Sequence, residues 1–136
     1  MKIKIQVIGI IKKEDKILMR KKPDGSPPYK ETWYLFGGEL IHEKSPEQAI
    51  KDVVKNQTGI NIKMIKSLGW DTEIKKDTDG ETKFFIYLDS ICKYINGKIK
   101  PSEEIEKLEL IPVQKLKEHD LVPPSRKLFK KLGYIT

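Results

Sequence analysis

The chain has 136 residues, 38% hydrophobic and 35% charged, the proportions of a soluble globular protein and not of a disordered or fibrous one. Its single cysteine, Cys92, excludes an intrachain disulfide framework, and no apolar run reaches the length of a membrane span, so one cytoplasmic domain over residues 1–136 is expected. Lys plus Arg number 27 against 20 Asp plus Glu, a net charge of +7 that favours anionic partners such as nucleotides, although the lysines are spread as on a solvated surface.

In chain order, Ile3, Ile5 and Val7 alternate on one face of a half-buried strand from Lys2 to Ile11. The polar Lys12-Lys13-Glu14-Asp15 turns the chain into a second strand, Lys16 to Arg20. A loop rich in Pro and Gly (Pro23, Gly25, Pro27, Pro28) then leads to Trp33-Tyr34-Leu35-Phe36 and the pair Gly37-Gly38. A helix follows with full punctuation. Ser45 suits the N-cap, Pro46 the first helical position, Gln48 the return contact of a capping box, and Gly59 the C-terminal stop. Further strands are expected near Lys63 to Trp70, Thr82 to Tyr94 and Leu108 to Ile111. Asp77-Thr78-Asp79-Gly80 reads as a hairpin turn. A short helix at Val113 to Glu118 and a last one from Ser125, with Leu128, Phe129 and Leu132 on one face, complete the chain.

Residues Gly38 to Ile60 carry a resemblance. Their spacing is similar to that of the Nudix box, with Val54 and Ile60 on its aliphatic positions and Gly59 on its closing glycine. The flanking segments "DKILMRKK", "ETWYLFGG", "SEEIEKLELIPVQKL" and "LVPPSRKLFKKL" resemble the family's in order and spacing. The resemblance implies an α+β, α/β/α sandwich, a mixed β-sheet packed between helices, as the elements themselves suggest. It also implies hydrolysis of nucleoside diphosphates linked to another group, with box glutamates holding divalent cations. Those glutamates are replaced. The first falls on Lys44, the box arginine on Asp52, and the next three glutamates on Val53, Asn56 and Gln57. Mg²⁺ needs carboxylate oxygens to compete with its own water, and an amide brings an oxygen without the charge.

The leading expectation is therefore a Nudix-fold module that binds a nucleotide, nucleotide conjugate or RNA and has lost metal-dependent hydrolysis, with no cofactor. A second reading keeps the hydrolase, with Mg²⁺ or Mn²⁺ held by relocated acids. Glu43, Glu103 and Glu104 are the catalytic candidates, with Glu39, Glu47 and Glu106 nearby and His42 read as a loop residue. A third reading is a homodimerisation domain using an apolar former active site. Ligand contacts are expected from Gly37, Gly38, Trp33, Phe36, Lys44 and Phe84. Tyr34, Trp70, Phe85 and Tyr87 are further candidates for base stacking, and Lys21 and Lys22 for phosphate charge.

Overall fold

Alternation along the first strand organises the molecule. In the computed structural model, which describes residues 1–136 except His42 and Glu104, strand β1 (Lys2–Lys13) sends Val7 and Ile11 to one face and Ile10 to the other. The strands β2 (Lys16–Lys21), β3 (Trp33–Tyr34), β4 (Phe36–Glu39), β5 (Asn61–Lys76), β6 (Thr82–Asn96) and β7 (Lys107–Pro112) form one mixed sheet around it. Helix α1 (Pro46–Thr58) covers one face, and a 3₁₀ helix (Val113–Glu118) with helix α2 (Pro123–Lys131) covers the other.

Two cores result. On the α1 side Val7, Ile11, Leu18 and Phe36 meet Ala49, Ile50 and Val54. On the α2 side Ile10, Ile17, Met19 and Leu35 meet Leu116, Leu128 and Phe129. Adjacent residues of one strand thus enter opposite cores, as the two-residue period of a strand requires. Each fully buried aliphatic side chain contributes about 1.5–3 kcal/mol. The expected sandwich of a mixed sheet between helices is the observed architecture.

β1 runs parallel to β6 from Lys2↔Lys83 to Lys12↔Lys93 and fills that edge completely. Its other edge is divided. Ile11 to Lys13 pair with β2, while Gln6 to Gly9 pair with β4. β2 in turn pairs with β3 at Arg20↔Tyr34 and Lys21↔Trp33, and with β7 along its whole length. The chain therefore leaves β2 for β1 at Leu35, and the sheet opens there.

Several expectations shift. Ile3 and Ile5 share the parity of Val7 but are 64% and 38% exposed, because the strand continues past the α1-side core. β5 extends to Lys76, well beyond Trp70, so the hairpin with β6 is long, closing through Asp77 N–H to the Glu81 carbonyl at 2.8 Å. The last helix starts at Pro123, and Ser125 lies within its first turn, buried, its hydroxyl accepting from the Leu35 N–H at 3.4 Å.

The end of β6 locks against the end of α1. Gly97 has φ +108°, and a Cβ there would stand 2.9 Å from Ile60 Cα and 3.0 Å from the Gly59 carbonyl oxygen, backbone that has no easy retreat. Gly97→Ala is expected to destabilise the chain by about 1–3 kcal/mol through strain and overpacking, read as a lowered urea midpoint. An unchanged midpoint would show that this junction is loosely held.

Candidate functional site

The box segment folds as its punctuation predicts. The Ser45 hydroxyl accepts from Gln48 N–H at 3.1 Å, Pro46 opens the helix, and Gly59 at φ +80° donates its N–H to Lys55. The second half of the capping box is absent. The Gln48 side chain donates instead to Asp52 Oδ1 at 2.8 Å, drawn by a carboxylate one turn on. Gly38 is small for a reason: a Cβ there would meet Val53 Cγ2 at 2.7 Å, so α1 packs directly on β4.

Lys44 and Asp52 form an ion pair at 2.6 Å, and the hydrogen bonds from Lys44 and Gln48 hold the Asp52 carboxyl below its ordinary range. Lys44, expected to contact a ligand, is turned to the helix by this pair. Val53 is half-buried against Gly38 and Asn56 is exposed. Gln57 Oε1 accepts from Arg20 Nη1 at 3.2 Å, while Arg20 Nε donates to the Leu35 carbonyl at 3.1 Å.

Among the described residues, the proposed relocated acids are exposed or held by other partners. Glu39, Glu43 and Glu103 are exposed, Glu43 at φ +72° in the loop before α1. Glu47 accepts from the Met64 N–H at 3.2 Å and tethers α1 to β5. Glu106 pairs with Lys21. Glu104 and His42 lie outside the described residues. Among the described residues no three His, Cys, Asp or Glu side chains could hold a metal ion.

A cavity of about 420 Å³ opens on the α2 side of the sheet. Its floor is Lys4, Gln6 and Ile8 of β1, Phe85, Tyr87 and Asp89 of β6, and Asp71, Glu73 and Lys75 of β5. Its walls are Pro27, Pro28 and Tyr29, the segment Val122–Ser125 with Lys127 and Leu128, and Arg20, Lys22 and Tyr34. Arg20 joins this wall to Gln57 on the box helix.

Of the expected contacts, Gly37 lines the cavity. Gly38 faces Val53 instead. Trp33 is buried in the α2-side core, with its ring edge-on to His119 at 5.1 Å. Phe36 is fully buried in the α1-side core, 5.6 Å below the Arg20 guanidinium. Phe84 lies on the opposite face of β6 from the cavity, whose floor is lined by Phe85 and Tyr87 with ring centroids 6.0 Å apart. Trp70 is 68% exposed on the far face. Tyr29, Glu73, Lys75, Asp71 and Asp89 were missed. For the three on β5 the signal was the period-two run Asp71, Glu73, Lys75, Asp77, which a polar edge strand would also show.

A model of the NUDIX domain matches residues 2–132. The chain belongs to the NUDIX family. It is 27% identical over 112 residues to an ADP-ribose pyrophosphatase of Methanocaldococcus jannaschii, a match covering 82% of this chain and 63% of that relative. It is 25% identical over 135 residues to the nucleoside triphosphatase NudI of Escherichia fergusonii, covering 95% of this chain and 96% of that one. The crystal structure of a MutT NUDIX hydrolase from Burkholderia pseudomallei superposes with a TM-score of 0.76 at 18% identity, covering 97% and 99% of the two chains, a likeness of fold.

Charges in this Nudix cavity are largely neutralised from within. Glu73 Oε1 accepts from Tyr29 and from Tyr87, the latter at 2.7 Å, and burial with these bonds raises both phenols. Lys75 stands 3.6 Å from Glu73 and 4.5 Å from the Phe85 ring centre, and burial lowers its pKa. Asp77, held by Lys83 at 2.9 Å and Lys4 at 3.0 Å, stays well below the ordinary carboxylate range.

Asp89 differs. It is 4% exposed, its Oδ2 has no hydrogen-bond partner, and burial followed by the nearby Asp71 raises its pKa. An acid whose folded pKa is raised binds its proton more tightly when folded. Its contribution is most favourable below the unfolded value, near 3.9, and is lost as pH rises through the folded value. Asp89→Asn removes this dependence. The melting temperature of the variant relative to the native chain is expected to rise between about pH 5 and pH 8; a constant difference would place Asp89 in an ordinary environment.

Proposed function

We propose that the chain binds a nucleotide or nucleotide conjugate in the cavity over β1, β5 and β6, and that it has lost metal-dependent hydrolysis by the box. The observation that carries this reading is the set of side chains at positions 53, 56 and 57. Val53 offers no ligand atom, and Asn56 and Gln57 offer neutral amides, one of them already bonded to Arg20. Mg²⁺ dehydrates reluctantly and is held by carboxylates. This donor set does not fit it. The cavity supports binding on its own terms, with the phenol and benzyl rings of Tyr29, Tyr34, Phe85 and Tyr87 beside Arg20, Lys22 and Lys4. Rings stack on bases for about 1–3 kcal/mol each, and guanidinium and ammonium groups balance phosphate. A nucleotide at the end of an RNA offers the same chemistry.

The test is thermal shift with ADP-ribose and nucleoside di- and triphosphates, with and without Mg²⁺. Stabilisation without metal is expected, weakened about tenfold in apparent affinity (about 1.4 kcal/mol) by Arg20→Ala or Lys22→Ala. The names of the relatives favour the hydrolase reading. Turnover at about 1 s⁻¹ or faster with Mg²⁺, abolished by Glu43→Gln or Glu104→Gln, would establish it and overturn the proposal.

The homodimer reading, which the sequence places at an apolar former active site, has a second candidate surface on the α1 face of the sheet. Ile3 and Ile74 flank Phe84 in one cross-strand row, and Ile5 and Trp70 lie in the rows beyond, four of these five large side chains exposed. A dimer through this face would give a mass that rises with concentration and falls to monomer in Trp70→Lys. A monomer at all concentrations would remove this reading.

A further inference from the structure

We propose that Asp71 and Asp89 are the base-recognition end of the cavity, selecting a nucleobase edge with adjacent N–H donors, the guanine N1–H and N2–H₂ pair. This rests on the nucleotide-binding reading and adds a choice of base to it.

Asp89 is 4% exposed, lines the cavity and leaves Oδ2 without a partner. A buried unpaired oxygen of this kind is costly and uncommon in folded proteins. The other cavity carboxylates have partners: Glu73 holds two phenols, Asp77 two lysines, and Asp71 stands 3.4 Å from Lys127. From α2, Lys127 and Lys131 act on Asp89 only as more distant charges. Asp89 shares a side-chain hydrogen bond with Asp71, and its Oδ2 is the buried carboxyl oxygen that remains without a partner among the described residues.

Strand order separates the ends of a ligand. Asp71 and Asp89 sit on β5 and β6, whereas Arg20 and Lys22 sit on or just after β2, with β1 and β4 between them. Phosphates at Arg20 and Lys22 leave the base over β6, beside Phe85 and Tyr87, which lie four and two residues before Asp89 on the same face. An acceptor-rich pair of carboxyl groups there suits an edge that donates twice. Guanine does so. Hypoxanthine lacks the amino group, adenine turns its own N1 acceptor toward the acids, and uracil flanks its N3–H with carbonyl oxygens. A site built to bond a donor discriminates strongly against the analogue that lacks it.

The experiment is calorimetric titration of the full chain with GDP, IDP, ADP and UDP in metal-free buffer. GDP is expected to bind about tenfold or more tighter than IDP, ADP or UDP, with Asp89→Asn and Asp71→Asn each reducing the GDP-to-IDP ratio toward one. A GDP-to-IDP ratio near one in the native chain, a preference for ADP or UDP, or a ratio unchanged in both variants would overturn the proposal and leave nucleotide binding standing. Absence of binding by all four nucleotides would overturn both.

Discussion

A strand has two edges, and β1 gives one of them wholly to β6 while dividing the other between β2 and β4. No third partner can occupy the gap where that division falls. The chain must cross from one paired system to the other at Leu35, and its carbonyl there is left to a side chain. Arg20 takes it, and the same guanidinium reaches Gln57 on α1. This contact ties the box helix on one face of the sheet to the cavity wall on the other. The glycines beside it serve the same closeness, since any side chain on Gly37 or Gly38 would strike Ile8 or Val53.

Electrostatics within the domain are arranged by pairing more than by the net charge of +7. The box positions where the family pattern has Glu and Arg hold Lys44 and Asp52, an ion pair of reversed polarity. Such a pair serves the fold equally well in either sense, because attraction depends on the product of the charges. Metal binding has no such symmetry. In the cavity the lysines of β1 and β5 are matched by Asp77 and Glu73, and the rings of Tyr29, Phe85 and Tyr87 surround Lys75. Buried charges retained in this way are costly unless bonded, and Asp89 Oδ2 is the buried carboxyl oxygen left without a partner among the described residues.

Much of the frame was legible in the residues themselves. Ser45, Pro46 and Gly59 mark the ends of α1 because capping is a local matter, settled by groups within one turn. Asp79-Gly80 marks the hairpin for the same reason. The floor of the cavity was less legible. Phe84 and Phe85 are adjacent aromatics on β6, and period two says only that they face opposite ways. Which of them meets the cavity depends on which face α2 covers. Trp33 reads as a stacking residue beside a glycine loop, yet it is drawn into the core by Leu121 and His119, far along the chain.

The sequence by itself determined the family, the sandwich of helices about a mixed sheet, and the identity of the groups at each box position. These follow from local spacing, hydrophobic period and side-chain chemistry. Only the tertiary structure decided that Lys44 is bound to Asp52, that the amide of Gln57 is held by Arg20, and that Asp71 and Asp89 meet beneath α2. Each of these depends on the register between strands or on the placement of a helix across the sheet, and such contacts join residues whose separation in sequence carries no periodic signal.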